Sequence, residues 1–243
     1  MDRGPLLQPV LIERAGDVLS FTLNRPDAGN EISGPMFDAM TAALRSEAAT
    51  PSARVLRISA NGDCFCTGRE RAGRDAVSIR AEVSRLIELK RLVRATSMIS
   101  IAQVQGDALG FGFGLAILCD FTLVSSRASL AFPEMRKGLP PAAIMAYVGR
   151  YALPKALFPM VLFGDPLTPA IALEAGLITR VCEPDALRAD ADALAERILA
   201  LDDAGARQCK MFFQAAEESP IEQNFRGATD MLTVTSLRLM QDR

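Results

Sequence analysis

Apolar residues in the first part of the chain follow the two periods that distinguish strands from helices. Short β-favouring runs predict strands at Val10–Glu13 and Val18–Leu23, and the glycine-containing segment between them predicts a hairpin turn. Apolar side chains at helical spacing then predict a helix over Gly34–Ala49, with Ser33 at its N-cap. The pattern therefore opens with a hairpin followed by a helix.

The middle of the chain repeats the order of strand, loop and helix. An apolar run predicts a buried strand over Val55–Ser59, followed by a loop at Asn61–Glu70. A 3.6-residue period predicts a long helix from Val77 to about Ala95, and Lys90 interrupts its apolar stripe. The order then recurs, as a strand at Ile99–Gln105, a glycine-rich turn at Gly106–Gly112, a helix at Phe113–Cys119 and a strand at Phe121–Ser125.

Strands that alternate with helices indicate an α/β fold with parallel crossover connections. From Pro140 onward the pattern is almost entirely helical. We therefore divide the chain into an α/β core at residues 1–183 and a helical C-terminal region at residues 184–243.

Composition and charge narrow the class of protein. Hydrophobic residues make up 49% of the chain and charged residues 23%, which is typical of a globular protein and argues against disorder. A net charge of −2 argues against nucleic acid or an anionic membrane surface as the main partner. No secretory signal is recognisable, and no run approaches the roughly 20 apolar residues of a membrane-spanning helix. We therefore expect a cytoplasmic protein.

The sequence contains no histidine, and this limits its chemistry more than any other feature. Catalytic systems that pair a serine or cysteine with histidine are excluded, as are metal sites with histidine ligands. The five cysteines lack paired C-x-x-C spacing, so we expect neither a disulfide framework nor a zinc site. Proton transfer must then depend on carboxylates, lysine, tyrosine or cysteine.

Two glycine-bearing turns, Cys64–Glu70 and Gly106–Gly114, each follow a predicted strand and precede a predicted helix. Backbone N–H groups at the start of a helix favour negative charge, so two such turns directed at one point would form an oxyanion hole. Turns of this kind are also common for structural reasons alone. A phosphate cradle is the competing interpretation, but the G-x-x-x-x-G-K-[ST] pattern is missing. Spacing alone leaves the ligand open.

Five segments, taken together and in order, resemble landmarks of the crotonase (enoyl-CoA hydratase/isomerase) superfamily. They cover nearly the whole chain: Leu23–Pro26, Phe65–Glu70, Gly106–Gly112, Phe132–Glu134 and Gly176–Ile178 with Val181. The resemblance implies a fold of repeated β-β-α turns with a helical C-terminal trimerisation region, assembled as a homotrimer or a dimer of trimers. It also implies an acyl-CoA thioester substrate. No separate cofactor or metal is expected, because coenzyme A enters as part of the substrate.

The resemblance also assigns roles to individual positions. The backbone N–H groups of Arg69 and Phe111 correspond to the oxyanion hole, and the nearby glycines correspond to substrate-binding positions, namely Gly68, Gly110, Gly112 and Gly114. Hydratases of the family carry two carboxylates, at positions that correspond to Gly114 and Glu134 here. This chain therefore retains Glu134 and lacks the other carboxylate.

A single carboxylate suits proton shuttling, whereas adding water across a double bond is easier with two groups. We therefore expect a thioester enolate enzyme in which Glu134 transfers the proton, with isomerisation favoured over hydration. The alternatives are a weak enoyl-CoA hydratase and a non-catalytic acyl-CoA-binding paralogue. Asp107 is a possible second acid, although hydrogen bonding within its turn is favoured. Lys210 is a candidate for the coenzyme A phosphates, although an exposed helix lysine is favoured. Phe111, Phe113, Met145 and the helix from Val77 are candidates to line the acyl pocket.

Overall fold

The computed structural model describes residues 8–241, which form a mixed α/β structure. The strands are β1 (Val10–Ala15), β2 (Val18–Leu23), β3 (Val55–Ala60), β4 (Ile99–Val104), β5 (Ala108–Leu109), β6 (Phe121–Ser125), β7 (Leu130–Ala131) and β8 (Arg180–Cys182). The helices are α1 (Gly34–Ala49), α2 (Ala76–Ala95), α3 (Phe111–Ile117), α4 (Ala142–Val148), α5 (Pro154–Phe163), α6 (Pro169–Glu174), α7 (Leu187–Leu199), α8 (Asp203–Ala216) and α9 (Ile221–Gln241). Two 3₁₀ turns occupy Pro26–Ala28 and Pro133–Lys137.

Six strands form the main sheet, in the order β1-β2-β3-β4-β6-β8. The first pair is the antiparallel hairpin, and each later pair is parallel. Successive side chains of a strand point to opposite faces of the sheet, so neighbouring residues pack into different cores. Leu56 and Ala102 join the large core that includes α1, α2 and α3, whereas Val55 and Ile101 pack with α7 on the other face. The large core is the one that supports the pocket described below.

A second, smaller set of strand contacts lies at one end of the main sheet. Strands β5 and β7 pair in parallel, and isolated bridges extend this pairing from Cys66 to Ala108 and from Ile32 to Arg69. The segments that carry the two glycine turns and Glu134 are therefore neighbours in one layer. This arrangement brings together residues that lie far apart in sequence.

The predicted elements agree closely with the structure. Strands β2 and β6 and helix α1 have the predicted bounds, and the ends of β1, β3, β4 and α2 differ by one or two residues. Helix α3 is the main correction, since it begins at Phe111 and not at Phe113. In residues 8–241, no helix is both long and apolar enough to cross a membrane. The division of the chain at residue 183 stays a prediction.

Candidate active site

Direct backbone hydrogen bonds join the two glycine turns. The N–H of Cys66 donates to the carbonyl of Asp107 at 3.1 Å, and the N–H of Leu109 donates to the carbonyl of Cys66 at 2.9 Å. The second turn is joined in the same way to β7, because the N–H of Gly110 donates to the carbonyl of Ala131 at 2.8 Å. Three consecutive segments of the small layer thus carry Arg69, Phe111 and, just after β7, Glu134.

Glycine is required at two points where these turns meet the pocket. Gly68 has φ +146° and Gly110 has φ +53°, values that L-residues with side chains rarely adopt. A Cβ on Gly110 would also lie 2.8 Å from Oε1 of Glu134. The carboxylate of Glu134 therefore lies against the backbone that leads directly into the Phe111 amide.

Gly112 allows α3 to approach the first turn. A Cβ at this position would lie 2.2 Å from the carbonyl oxygen of Cys66, which is backbone and could not rotate away. Only glycine permits this close approach. The requirement explains why a residue with low helix propensity lies in the first turn of α3. It also explains why the sequence pattern predicted that this helix begins two residues later.

The backbone amides of Arg69 and Phe111 lie at the two turns beside one cavity. Neither N–H donates a hydrogen bond to another protein group within residues 8–241. Phe111 is the first residue of α3, where the N–H groups have no partner within the helix. The two turns therefore present unused donors near the carboxylate of Glu134.

Glu134 lies in the first turn of the 3₁₀ segment Pro133–Lys137. Its Oε2 atom is buried and accepts no hydrogen bond from any residue in the described range 8–241. Burial raises the pKa of this carboxyl above its usual value, while its own backbone N–H and the positive charge of Lys90 act in the opposite direction. A buried carboxylate with an unused oxygen and a raised pKa is well suited to accept and return a proton.

The cavity around Glu134 has a volume of about 720 Å³. Its apolar wall includes Val83 and Leu86 of α2 together with Ile144 of α4. Basic side chains outnumber acidic ones in its lining: Arg69, Arg71, Arg74, Lys90 and Lys137 against Glu31, Glu70 and Glu134. An elongated ligand with an apolar part and a negatively charged part would match this lining.

Lys90 is a buried cation in this cavity, with 5% of its surface exposed. Its Nζ donates to the hydroxyl of Tyr147 at 3.0 Å and to the carbonyl of Ala143 at 3.3 Å. It also lies 5.3 Å from the centre of the Phe111 ring. Burial lowers the pKa of Lys90 to about 7, with Glu134 acting against this shift and Arg69 adding to it.

The sequence model of the enoyl-CoA hydratase/isomerase family matches residues 13–238, nearly the whole chain. The chain belongs to this family. The family's probable enoyl-CoA hydratase echA6 of Mycobacterium bovis is 32% identical over 195 residues, covering 78% of this chain and 76% of the relative. The carnitinyl-CoA dehydratase of Salmonella typhi is 30% identical over 227 residues, covering 88% of this chain and 84% of the relative.

Solved structures of the family agree with the fold. The enoyl-CoA hydratase of Mycobacterium smegmatis superposes with a TM-score of 0.90 at 27% identity, covering 94% of this chain and 91% of that one. A putative enoyl-CoA hydratase of Thermobifida fusca YX, solved in complex with CoA, gives 0.88 at 24% identity, covering 96% and 95%. The predicted membership of the crotonase superfamily and its α/β fold are confirmed.

The structure places five of the predicted site residues around one cavity: Gly68, Arg69, Gly110, Phe111 and Glu134. Gly112 and Gly114 do not line it; they lie behind Phe111 and pack against Cys66 and Tyr147 respectively. Their direct contact with substrate stays a prediction. Phe111 and α2 line the cavity as expected. Phe113 does not, because it is fully buried against Phe132, and Met145 is half-exposed outside the lining.

Other polar residues have structural partners. Asp107 accepts a hydrogen bond from the N–H of Ser129, on the next loop, at 3.0 Å. The expectation that Lys210 is exposed is wrong, because its Nζ is buried 2.7 Å from Oδ2 of Asp120. Burial raises the pKa of the Cys66 thiol to about 12, which argues against a nucleophilic role.

Sequence reasoning missed Lys90 as part of the cavity lining and Tyr147 as a hydrogen-bond partner of its amine. The signal for Lys90 was present, since a lysine interrupts the apolar stripe of α2 and therefore faces the core. No comparable signal exists for Tyr147, whose hydroxyl reaches the carbonyl of Gly114 across 33 residues of sequence. Only the packing of α4 against α3 brings these groups together.

Proposed function

We propose that this protein is an acyl-CoA enzyme that moves the double bond of an enoyl thioester through an enolate. The N–H groups of Arg69 and Phe111 hold the thioester oxygen, and Glu134 transfers the proton. In a β,γ-enoyl substrate the carboxylate removes a proton from the α-carbon, and the electron pair enters the dienolate. The same carboxyl group then returns the proton to the γ-carbon, which leaves an α,β-enoyl thioester.

The observation that carries this proposal is the position of the Glu134 carboxylate. One of its oxygens lies against Gly110, next to the Phe111 amide, and the other is buried without a hydrogen-bond partner in residues 8–241. A donor in an oxyanion hole typically contributes about 3 to 4 kcal/mol to transition-state stabilisation. A general acid or base adds about 10²- to 10⁴-fold in rate. Both contributions are directed at the same short stretch of the cavity.

The lining of the cavity supports a coenzyme A thioester as substrate. Arg71, Arg74 and Lys137 are exposed at its edge, where they can pair with phosphates. The apolar side chains of α2 and α4 provide a surface for the acyl group. We propose no cofactor apart from the coenzyme A that the substrate carries.

Substituting Glu134→Gln tests the proposal, because glutamine retains the shape of the side chain and cannot accept the proton. We expect double-bond migration in a β,γ-enoyl-CoA to fall by about 10²-fold or more. The affinity for a saturated acyl-CoA, measured by calorimetry, should change little. Glu174→Gln, an exposed change on α6, is the matched control. Unchanged turnover in the Glu134 variant would refute the role.

Hydration is the second candidate, because relatives at 30% and 32% identity are named as a dehydratase and a probable hydratase. Hydration of an α,β-enoyl-CoA, measured alongside migration, separates the two reactions. An acyl-CoA that binds but undergoes neither reaction would instead favour a non-catalytic binding protein. A cytoplasmic location stays a prediction from the sequence.

We also propose that the chain assembles as a homotrimer or a dimer of trimers. Support comes from large apolar side chains that are exposed on the C-terminal helices, among them Met211, Phe213, Phe225, Leu232 and Leu237. Exposed apolar surface of this extent favours association. Sedimentation equilibrium would measure the mass, and a monomer at micromolar concentration would contradict the proposal.

A further inference from the structure

The space beside Gly114, where hydratases of the family carry a second carboxylate, is already filled. A Cβ on Gly114 would lie 2.5 Å from the hydroxyl of Tyr147 and 3.2 Å from Nζ of Lys90. While Lys90 and Tyr147 keep these positions, a carboxylate side chain at position 114 has no room. A lysine amine and a tyrosine hydroxyl occupy its place.

The hydrogen bonds of this pair define the direction of each donor. The hydroxyl of Tyr147 donates to the carbonyl of Gly114 at 2.7 Å, so it accepts from Nζ of Lys90. The other partner of Nζ is the carbonyl of Ala143, which can only accept. Two N–H bonds of Lys90 are thus engaged. The third position on Nζ, a proton in the ammonium and a lone pair in the amine, is left for the cavity.

Lys90 and Glu134 flank one turn of the same backbone. Glu134 lies against Gly110 and Lys90 lies beside Gly114, and the N–H of Gly114 donates to the carbonyl of Gly110 at 2.9 Å. Both side chains line the cavity next to Phe111. No carboxylate within residues 8–241 forms an ion pair with Lys90 at 4 Å or less. Two titratable groups therefore line the part of the cavity beside Phe111.

We propose that Lys90 is a second proton-transfer group of this site, which replaces the carboxylate missing at position 114 and enables hydration of an α,β-enoyl thioester. This inference rests on the proposed function, because it uses the same bound thioester and the same two amides. Glu134 takes a proton from water while the water oxygen bonds to the β-carbon. The double-bond electrons move into the enolate, and the Lys90 ammonium then gives its proton to the α-carbon. Proton exchange with solvent restores the carboxylate and the ammonium.

The charge environment suits this role. The groups that face Lys90 are Glu134 from the 3₁₀ turn, Arg69 from the first glycine turn and Tyr147 from α4. Burial raises the pKa of Tyr147 well above its usual value, so this hydroxyl stays neutral. The pKa of Lys90, lowered to about 7, lets the side chain both give and take a proton near neutral pH.

Lys90→Met tests the inference, since methionine fits the buried space and cannot transfer a proton. We expect hydration of an α,β-enoyl-CoA to fall by about a hundredfold or more. Double-bond migration should fall at least tenfold less than hydration, because it loses only the charge of Lys90 near Glu134 and not a proton donor. Calorimetry with a saturated acyl-CoA checks that the variant still binds the thioester. Lys155→Met, an exposed change at the start of α5, is the matched control.

Three outcomes would overturn the role of Lys90. They are hydration by the Lys90→Met protein within threefold of the parent, no hydration by the parent itself, and equal loss of both reactions in a folded Lys90→Met protein. Failure of the proposed function would look different, because Glu134→Gln would then leave migration unchanged.

A second measurement uses the parent protein and so does not depend on folding of the variant. The sequence contains four lysines, so ¹³C NMR of their labelled ε-carbons can follow each titration separately. Substitutions of Lys137 and Lys155 assign the two exposed residues. We expect one buried lysine to titrate near pH 7, and hydration to fall as the pH rises through the same value because the ammonium is the proton donor. If no labelled ε-carbon titrates near pH 7, the proposal is overturned.

Discussion

The two buried lysines differ in their hydrogen-bond partners, and this difference separates a structural charge from one that can transfer a proton. Lys210, on α8, is 7% exposed, and its Nζ lies 2.7 Å from both Oδ2 of Asp120 and the carbonyl of Met98. Lys90, on α2, is 5% exposed, but its two hydrogen-bond partners are neutral. The first is neutralised by a counter-ion and attaches the C-terminal helices to the sheet. The second keeps a desolvated charge that can be released as a proton.

The presence or absence of a counter-ion distinguishes structural charges from candidate catalytic ones more clearly than burial alone. Asp120 also accepts hydrogen bonds from the backbone N–H and the hydroxyl of Ser100, so its cluster is well satisfied. At the cavity, by contrast, Oε2 of Glu134 has no partner in the described chain and Lys90 has no paired carboxylate there. Two titratable groups with shifted pKa values that share one cavity favour an active site there. If the contrast is real, substitutions at Lys210 and Lys90 should change stability in opposite directions.

The largest effect is expected from Lys210→Met. Removing the cation leaves the carboxylate of Asp120 largely buried without its counter-ion, which we expect to cost about 3 kcal/mol of unfolding free energy. Urea unfolding followed by circular dichroism would measure the loss, with Lys155→Met as the exposed control. A Lys210→Met protein as stable as its parent would show that this lysine does not hold α8 to the sheet.

Lys90→Met, unlike Lys210→Met, should raise the unfolding free energy at neutral pH. The shift of the Lys90 pKa from 10.5 to about 7 corresponds to about 5 kcal/mol at most, and the loss of two hydrogen bonds to buried acceptors offsets about half of this. We therefore expect the variant to be about 2 kcal/mol more stable than the parent at pH 7.

The pH dependence gives this prediction its sharpest form. Between pH 7 and pH 10.5 the unfolded parent binds more protons at Lys90 than the folded parent, so the parent gains stability as the pH rises. The advantage of Lys90→Met should shrink across this window, vanish at about pH 8.7 and be reversed by pH 10, where the lost hydrogen bonds dominate. Denaturant unfolding at pH 7, 8.5 and 10 would measure it. If the difference in unfolding free energy between the variant and the parent does not change with pH, the pKa of Lys90 is not lowered in the folded protein.

The sequence alone predicted the elements that position the site but not its complete chemistry. Helix α1 and strands β2 and β6 were predictable because their apolar periods are regular, and a recognisable turn or N-cap position precedes them. The start of α3 was not predictable, because the glycine at position 112 is required by close packing against Cys66, which is distant in the sequence. Glu134 was predicted as the catalytic carboxylate from its motif, and it lines the cavity. The role of a buried residue such as Lys90 depends on which groups surround its amine, and those come from α3 and α4.

The Lys210 prediction failed for the same physical reason. A lysine on an amphipathic helix usually projects into solvent, and the periodicity of α8 gives no sign of a carboxylate on another element. The partner of Lys210, Asp120, lies 90 residues away in the sequence. Pairing of distant charges follows from the packing of α8 beside β4, which a local pattern does not contain.

The smallest effect is expected from Tyr147→Phe, which removes only the hydroxyl between Lys90 and Gly114. Losing its two hydrogen bonds should lower the unfolding free energy by about 1 kcal/mol. The Lys90 ammonium also loses an acceptor, so the pKa of Lys90 should fall further and not rise.

Two measurements check this prediction together. The ε-carbon titration of Lys90 measures the change in its pKa. A double-mutant cycle with Gly114→Ala tests whether the Tyr147 hydroxyl fills the space beside Gly114. A Cβ on Gly114 would lie 2.5 Å from the Tyr147 hydroxyl, so the alanine should be less destabilising once that hydroxyl is gone. Additive effects of the two substitutions would show that Tyr147 does not fill the place beside Gly114, and the account of why this chain carries no carboxylate there would fail.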